Sequence, residues 1–223
     1  METALRIVAA LLVAYLTGSI PWAFIVVRLF WHQDIRTLGS GNTGATNVLR
    51  VFGTAPGITV LVLDVAKGAL AVLLASLFIP PDWSPTAADA LRVAAAVAAI
   101  VGHAFSPWIG FSGGKGMATA AGALSVVAPA VWPLMLVLFV VVVAAGRMVS
   151  LGSIIVALVF PVACWLLYPE RQALLVLSLV ASGFVLWRHR ANVRRIAAGE
   201  ETRISFKRRL WGRQGTPPND GSA

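Results

Sequence analysis

Charge is what this sequence lacks most. Asp, Glu, Lys and Arg supply 12% of its 223 residues and hydrophobic residues 58%, where a typical soluble domain carries about 25% charge. The mean hydropathy of +0.83 agrees, and lipid is the first partner to test. Cysteine is nearly absent. Cys164 stands alone in an apolar run, which excludes a disulfide framework and a thiolate metal site. His32, His103 and His189 are far apart, with no H-E-x-x-H spacing, so no zinc centre is expected. The polar motifs also lack the paired carboxylates that magnesium needs. No metal and no cofactor are therefore expected. A cleaved leader is a poor reading of the N-terminus. Ile7 to Val27 is 21 residues without charge, longer than the roughly 7–15 of a signal core.

What is present is a series of apolar stretches, near 4–29, 55–79, 87–109, 113–128, 130–146, 149–168 and 170–187. Crossing a bilayer takes about 20 apolar residues as helix. From Ala118 to Ala145 the chain is charge-free but interrupted by Pro129 and Pro133, which fits two short spans and a tight turn. Counting seven spans places 14 basic residues on the side of the C-terminal tail and three (Arg6, Arg92 and Arg171) on the other, with Lys67 inside a span. Six spans would give 12 against 5. The positive-inside rule favours seven. The expected fold is all-α: a polytopic membrane protein with seven transmembrane helices, its N-terminus outside and its C-terminus cytoplasmic. One domain is expected over 1–209, followed by a disordered tail over 210–223. The net charge is +9, of which the segment from Arg188 onward carries +6. Such a juxtamembrane cluster suits anionic lipid, and no nucleic-acid partner is implied.

Three polar interruptions do not look like mere connectors. The first, Gly39-Ser-Gly-Asn-Thr-Gly-Ala-Thr-Asn-Val-Leu-Arg50, combines glycines that bring backbone N–H groups near a ligand with neutral donors at Ser40, Asn42, Thr46 and Asn47. Arg50 adds a side chain suited to bidentate phosphate binding. The second sets Gly113, Gly114 and Gly116 around Lys115, just before an apolar helix. This is an anion-site pattern but not a Walker A loop, because Ile109 stands where its first glycine belongs and Lys115 precedes glycine. The third places His189 and Asn192 on one helical face. Asp64 and Lys67 are also three apart, within a span, where an ion pair is the simplest account. His103 reads as a neutral core histidine, and Ser150 and Ser153 as serines near a span end. All three interruptions fall on the same predicted side, next to lipid. A phosphorylated, water-soluble substrate meeting a lipid substrate fits that arrangement.

Four motifs, in order, carry a resemblance. They are GlySerGlyAsnThrGlyAlaThrAsnValLeuArg (39–50), LeuAspValAlaLysGly (63–68), GlyHisAlaPheSer…GlyGlyLysGlyMetAlaThr (102–119) and HisArgAlaAsnValArgArg…GlyGluGlu (189–201). The chain resembles, over about 1–209, the bacterial membrane glycerol-3-phosphate acyltransferases that use acyl phosphate. It departs from the family pattern at Ala191, where an acidic residue is usual. The resemblance implies transfer of a fatty acyl group from acyl phosphate to the sn-1 hydroxyl of glycerol 3-phosphate. The products would be lysophosphatidic acid and phosphate, made at the cytoplasmic side of the bacterial inner membrane. It also implies catalytic roles for His189, Asn192 and Lys115. Ser40, Gly41, Asn42, Thr46, Asn47, Arg50, Gly113, Gly114 and Ser153 are the expected substrate and phosphate contacts.

The residues agree with such chemistry. Acyl phosphate is already activated, so positioning and charge stabilisation matter more than a strong nucleophile. No His-x4-Asp pair exists: Thr37, Trp108 and Arg194 stand five residues after the three histidines. The proton acceptor is then a substrate phosphate oxygen, with His189 as the competing base. The rival class is an organic-phosphate transporter. It predicts internal repeats and polar groups at midplane, and the sequence displays neither.

Overall fold

The computed structural model describes residues 1–204, so the tail expected from 210 onward lies outside the described residues. The described chain is helical, without strands. Its helices are α1 (Glu2–Ser19), α2 (Trp22–Trp31), α3 (Ala45–Phe52), α4 (Thr54–Ser76) and α5 (Pro85–Ala104). They continue as α6 (Met117–Val127), α7 (Val131–Gly146), α8 (Val149–Leu167), α9 (Gln172–Arg188) and α10 (Arg190–Ala197).

Each predicted apolar stretch becomes helix, with local differences. The first is interrupted at Ile20–Pro21, where α1 gives way to α2, and the two continue as one span. Proline offers no N–H to continue the ladder. The long stretch from Ala118 divides at Pro129 into α6 and α7, as its prolines require. Four stretches are long and apolar enough to cross a membrane: Glu2–Trp31, Thr54–Ser76, Pro85–Ile109 and Val149–Leu167. Helix α9 with α10 makes a fifth, bent by 59°, while α6 and α7 are shorter, at 11 and 16 residues. Large apolar side chains such as Leu12, Val137, Trp165 and Leu179 face outward, as lipid-facing residues do.

Without a hydrophobic force between helices in lipid, close backbone approach has to bind them. Small residues provide it. Ala10 and Ala14 of α1 pack with Ala95 and Ala99 of α5. Helices α4 and α6 meet at two glycines: a Cβ on Gly68 would stand 2.1 Å from the Thr119 carbonyl oxygen, and one on Gly122 would stand 1.8 Å from that of Val65.

Contacts define two ends of the bundle. At one, Arg171 pairs with Asp89, its Nε 3.0 Å from the carboxylate, and the Tyr168 hydroxyl accepts from the Ala130 amide. At the other, Arg36 donates to the Ile109 carbonyl at 3.2 Å and the Ile204 amide to that of Arg147 at 2.6 Å. The three polar interruptions gather at this second end.

Candidate active site

The loop before α3 is shaped by Asn47. Its oxygen accepts from the Ser40 amide at 2.9 Å, and its amide nitrogen donates to the carbonyls of Leu38 (2.9 Å) and Asn42 (3.1 Å). Asn47 thus holds the loop, and it lines the same cavity as its neighbours. Gly41 has φ +68, a left-handed turn that glycine accommodates without strain. Ser40, Asn42, Thr46 and Arg50 line a cavity of about 340 Å³.

The second loop is also held by hydrogen bonds. Gly113 N–H donates to the Ala104 carbonyl at 3.0 Å and Gly114 N–H to that of His103 at 3.2 Å. Both amides satisfy the end of α5, so the anion-loop reading rests on Lys115 and on Gly116 at the N-terminus of α6, which line the cavity. Their carbonyls accept from Arg188, at 3.0 and 2.6 Å. Arg188 therefore anchors this loop as well as adding to the basic tail. Lys115 extends from it into the cavity and donates to the Asn192 side-chain oxygen.

The residue that the sequence reading left without a role is Glu201. Its carboxylate accepts from Ser150 Oγ (2.7 Å), Asn192 Nδ2 (2.8 Å) and Arg195 Nε (2.8 Å). Burial works against its charge, but these three donors outweigh it and hold the carboxyl below the usual range. Gly199, with φ +74, turns the chain back after α10 and brings Glu201 to the site. The signal in the sequence was an acidic pair, Glu200–Glu201, in a basic segment.

Lys115 has an ammonium pushed down to about 8, mainly by burial and further by Arg195, Arg50 and Arg188, while Glu201 partly offsets them. His189, just past α9, is pushed down to about 4 by burial and then by Lys115. Its Nδ1–H donates to the Val185 carbonyl at 2.8 Å, which leaves Nε2 bare and the ring neutral. Ser153 lines the cavity but donates to the Val149 carbonyl at 3.0 Å. Gly41 lies at the loop tip, and Ala191 is exposed.

Beyond these polar groups the same cavity turns apolar. Ile100, Leu124, Val127, Trp132, Met135 and Phe160 line it. Along α6 it runs from Gly116 to Val127, about 16 Å at 1.5 Å per residue.

A cationic rim opens on an apolar channel inside a bundle whose helices are long and apolar enough to cross a membrane, the architecture of an integral membrane protein. Residues 8–199 match the family model described as glycerol-3-phosphate acyltransferase. The glycerol-3-phosphate acyltransferase of Synechococcus sp. (strain CC9902) is 44% identical over 200 residues, 88% of this chain and 94% of that one. That of Parasynechococcus marenigrum (strain WH8102) is 43% identical, with 92% of each chain covered. The crystal structure of PlsY (YgiH), an integral membrane glycerol 3-phosphate acyltransferase, in its glycerol 3-phosphate form superposes with a TM-score of 0.79. It is 32% identical and covers 89% of this chain and 96% of its own. Its lysophosphatidic acid form gives 0.78 at 30% identity, with 89% and 95% covered. The chain belongs to the glycerol-3-phosphate acyltransferase family and is an acyltransferase.

Proposed function

We propose that this chain transfers a fatty acyl group from acyl phosphate to the sn-1 hydroxyl of glycerol 3-phosphate, releasing lysophosphatidic acid and phosphate. The observation that carries the reading is the single cavity in which Arg50 and Lys115 stand at the mouth of an apolar channel. Two phosphorylated substrates need that much positive charge in one place, and an acyl chain needs the channel. Catalytic roles go to Lys115, His189 and Asn192, and phosphate contacts to Ser40, Asn42, Thr46 and Arg50. Glu201 holds Asn192 and Ser150 in place and acts through them.

In the transfer, the glycerol 3-phosphate hydroxyl oxygen attacks the acyl carbonyl carbon, and the carbonyl π pair moves onto its oxygen. When that pair returns, the bond from carbon to the phosphate oxygen breaks, and phosphate leaves with its electrons. The hydroxyl proton passes to a phosphate oxygen. Burial and Lys115 lower the basicity of His189, and the phosphate dianion, whose conjugate acid has a pKa of about 6, is the acceptor in this scheme. His189 Nε2 instead accepts a hydrogen bond that orients the hydroxyl.

The reading extends to placement: seven crossings in one domain over 1–209, the N-terminus outside, and the site on the cytoplasmic side of the inner membrane. The alternation of helix ends between the two ends of the bundle supports it, with α6 and α7 as short crossings. Purified protein given labelled glycerol 3-phosphate and acyl phosphate is expected to form lysophosphatidate. Labelled substrate accumulating inside sealed vesicles without product would favour the transporter reading instead.

A further inference from the structure

The segment that carries Lys115 is clamped at both ends. At its start Arg36 donates to the Ile109 carbonyl at 3.2 Å. At its end the Gly113 and Gly114 amides are bonded to α5, and the packing there is close. A Cβ on Gly113 would stand 2.0 Å from the His103 carbonyl oxygen, and one on Gly114 would stand 2.2 Å from His103 Nε2. The His103 ring is backed in turn by Lys67, 3.0 Å from its Nδ1, and Lys67 pairs with Asp64 at 2.7 Å. The remaining backbone groups of the two glycines, their carbonyls, are taken by Arg188, whose Nη2 donates to both.

The two arginine clamps differ in charge balance. Arg36 is matched by Asp34, with Nε 3.0 Å from both carboxylate oxygens. Arg188 has no acidic partner among the described residues. Its guanidinium carbon lies 5.8 Å from the ring centroids of Phe105 and Trp187, within reach of cation–π attraction. The charge is therefore left to act on the site, where Arg50, Arg195 and Glu201 also face Lys115. A neutral amide could hold two carbonyls, whereas a cation adds to the potential that a phosphate meets. Position matters as well. The chain bends by 59° between α9 and α10, at His189. Arg188, just before the bend, holds the main chain beside Lys115, and Asn192, just after it, holds the Lys115 ammonium.

We propose that Arg188 is a positioning residue for the transfer, which holds the Gly113 and Gly114 carbonyls so that Lys115 stays aimed at the substrate phosphate beside His189 and Asn192. It stands outside the lining of the cavity, so its effect on turnover passes through Lys115 and not through contact with substrate. The inference rests on the acyl-phosphate reading given above, in which Lys115 meets a phosphate.

Two substitutions test it. Arg188→Met keeps an unbranched apolar side chain against Phe105 and Trp187 but removes the donors and the charge. Arg188→Lys restores both in one ammonium. Each is made alone and on a Lys115→Ala background, and kcat/KM is measured on purified protein with acyl phosphate and glycerol 3-phosphate. Alone, Arg188→Met is expected to lower kcat/KM about 10-fold, or about 1.4 kcal/mol, a usual coupling between neighbours. Arg188→Lys should stay within about 3-fold of wild type, since it loses the planar fork but not the charge. On the Lys115→Ala background, Arg188→Met should change kcat/KM by less than about 2-fold, because the group it positions is gone. The alkaline limb set by Lys115 should move to higher pH in Arg188→Met, where a facing cation is missing, and keep its place in Arg188→Lys. Arg188→Ala serves the same cycle if the Met variant does not fold. Equal losses on both backgrounds, an unmoved limb, a Lys variant no better than Met, or loss of folding in both neutral variants overturns the inference. A wild-type protein that makes no lysophosphatidate from acyl phosphate overturns the underlying reading, and the inference with it.

Discussion

At Lys115, burial and the guanidinium groups of Arg195, Arg50 and Arg188 lower the ammonium pKa to about 8. The charged form is therefore complete near pH 6 and is lost as pH rises through 8. If that charge holds a substrate phosphate, kcat/KM should fall on the alkaline side with a midpoint near 8, since that ratio reports the free enzyme. Lys115→Arg is expected to remove this limb within the measurable range, because guanidinium stays charged beyond pH 12. An unchanged limb in the Arg variant would assign the titration elsewhere. Among single residues, the sequence revealed which were chemically capable but not how each was spent. Lys115, His189 and Asn192 converge as their types suggested. Asn47 has the same composition-level promise as Asn42, yet its amide already engages four backbone groups in and beside its own loop. Glu201 was hidden for a related reason. It is nine positions beyond Asn192 and meets it only because Gly199 reverses the chain.

Helices were more legible than residues. Lipid requires long apolar stretches with internal hydrogen bonding, so the seven stretches and the division at Pro129 could be read directly. Their partners could not, because pairing depends on which faces offer small residues. The α4–α6 contact tests that dependence. A methyl on Gly122 would stand 1.8 Å from the Val65 carbonyl oxygen, so Gly122→Ala must push the two helices apart. A thermal unfolding midpoint several degrees below wild type is expected, from overpacking that costs about 1–3 kcal/mol. Gly183→Ala in α9 is the matched control. Nothing lies within 4 Å of its added Cβ, and alanine is the better helix former by up to about 1 kcal/mol. That variant should melt at or above the wild-type midpoint. Equal losses in both would show that helix propensity, not backbone contact, sets the cost.

For the molecule as a whole, the proposed crossing number puts the two ends of the chain on opposite faces of the membrane. Cys164 is buried, so replacing it with Ala gives a background in which single cysteines can be placed at Glu2 and Arg203, both exposed. With intact cells, a membrane-impermeant maleimide is expected to label the Glu2→Cys variant and to reach Arg203→Cys only after lysis. Labelling of both from outside would require an even number of crossings. The order of the site residues along the chain has a separate outcome. Ser40 and Arg50 come from the first quarter, Lys115 from the middle, and His189, Asn192 and Glu201 from the last described helices and the turn after them. While the chain is still being synthesised and inserted, its early helices already hold a loop suited to phosphate, but no lysine partner or closing carboxylate. A ribosome-bound intermediate therefore has no assembled centre with which to consume acyl phosphate, and activity begins only when the last crossing is in place.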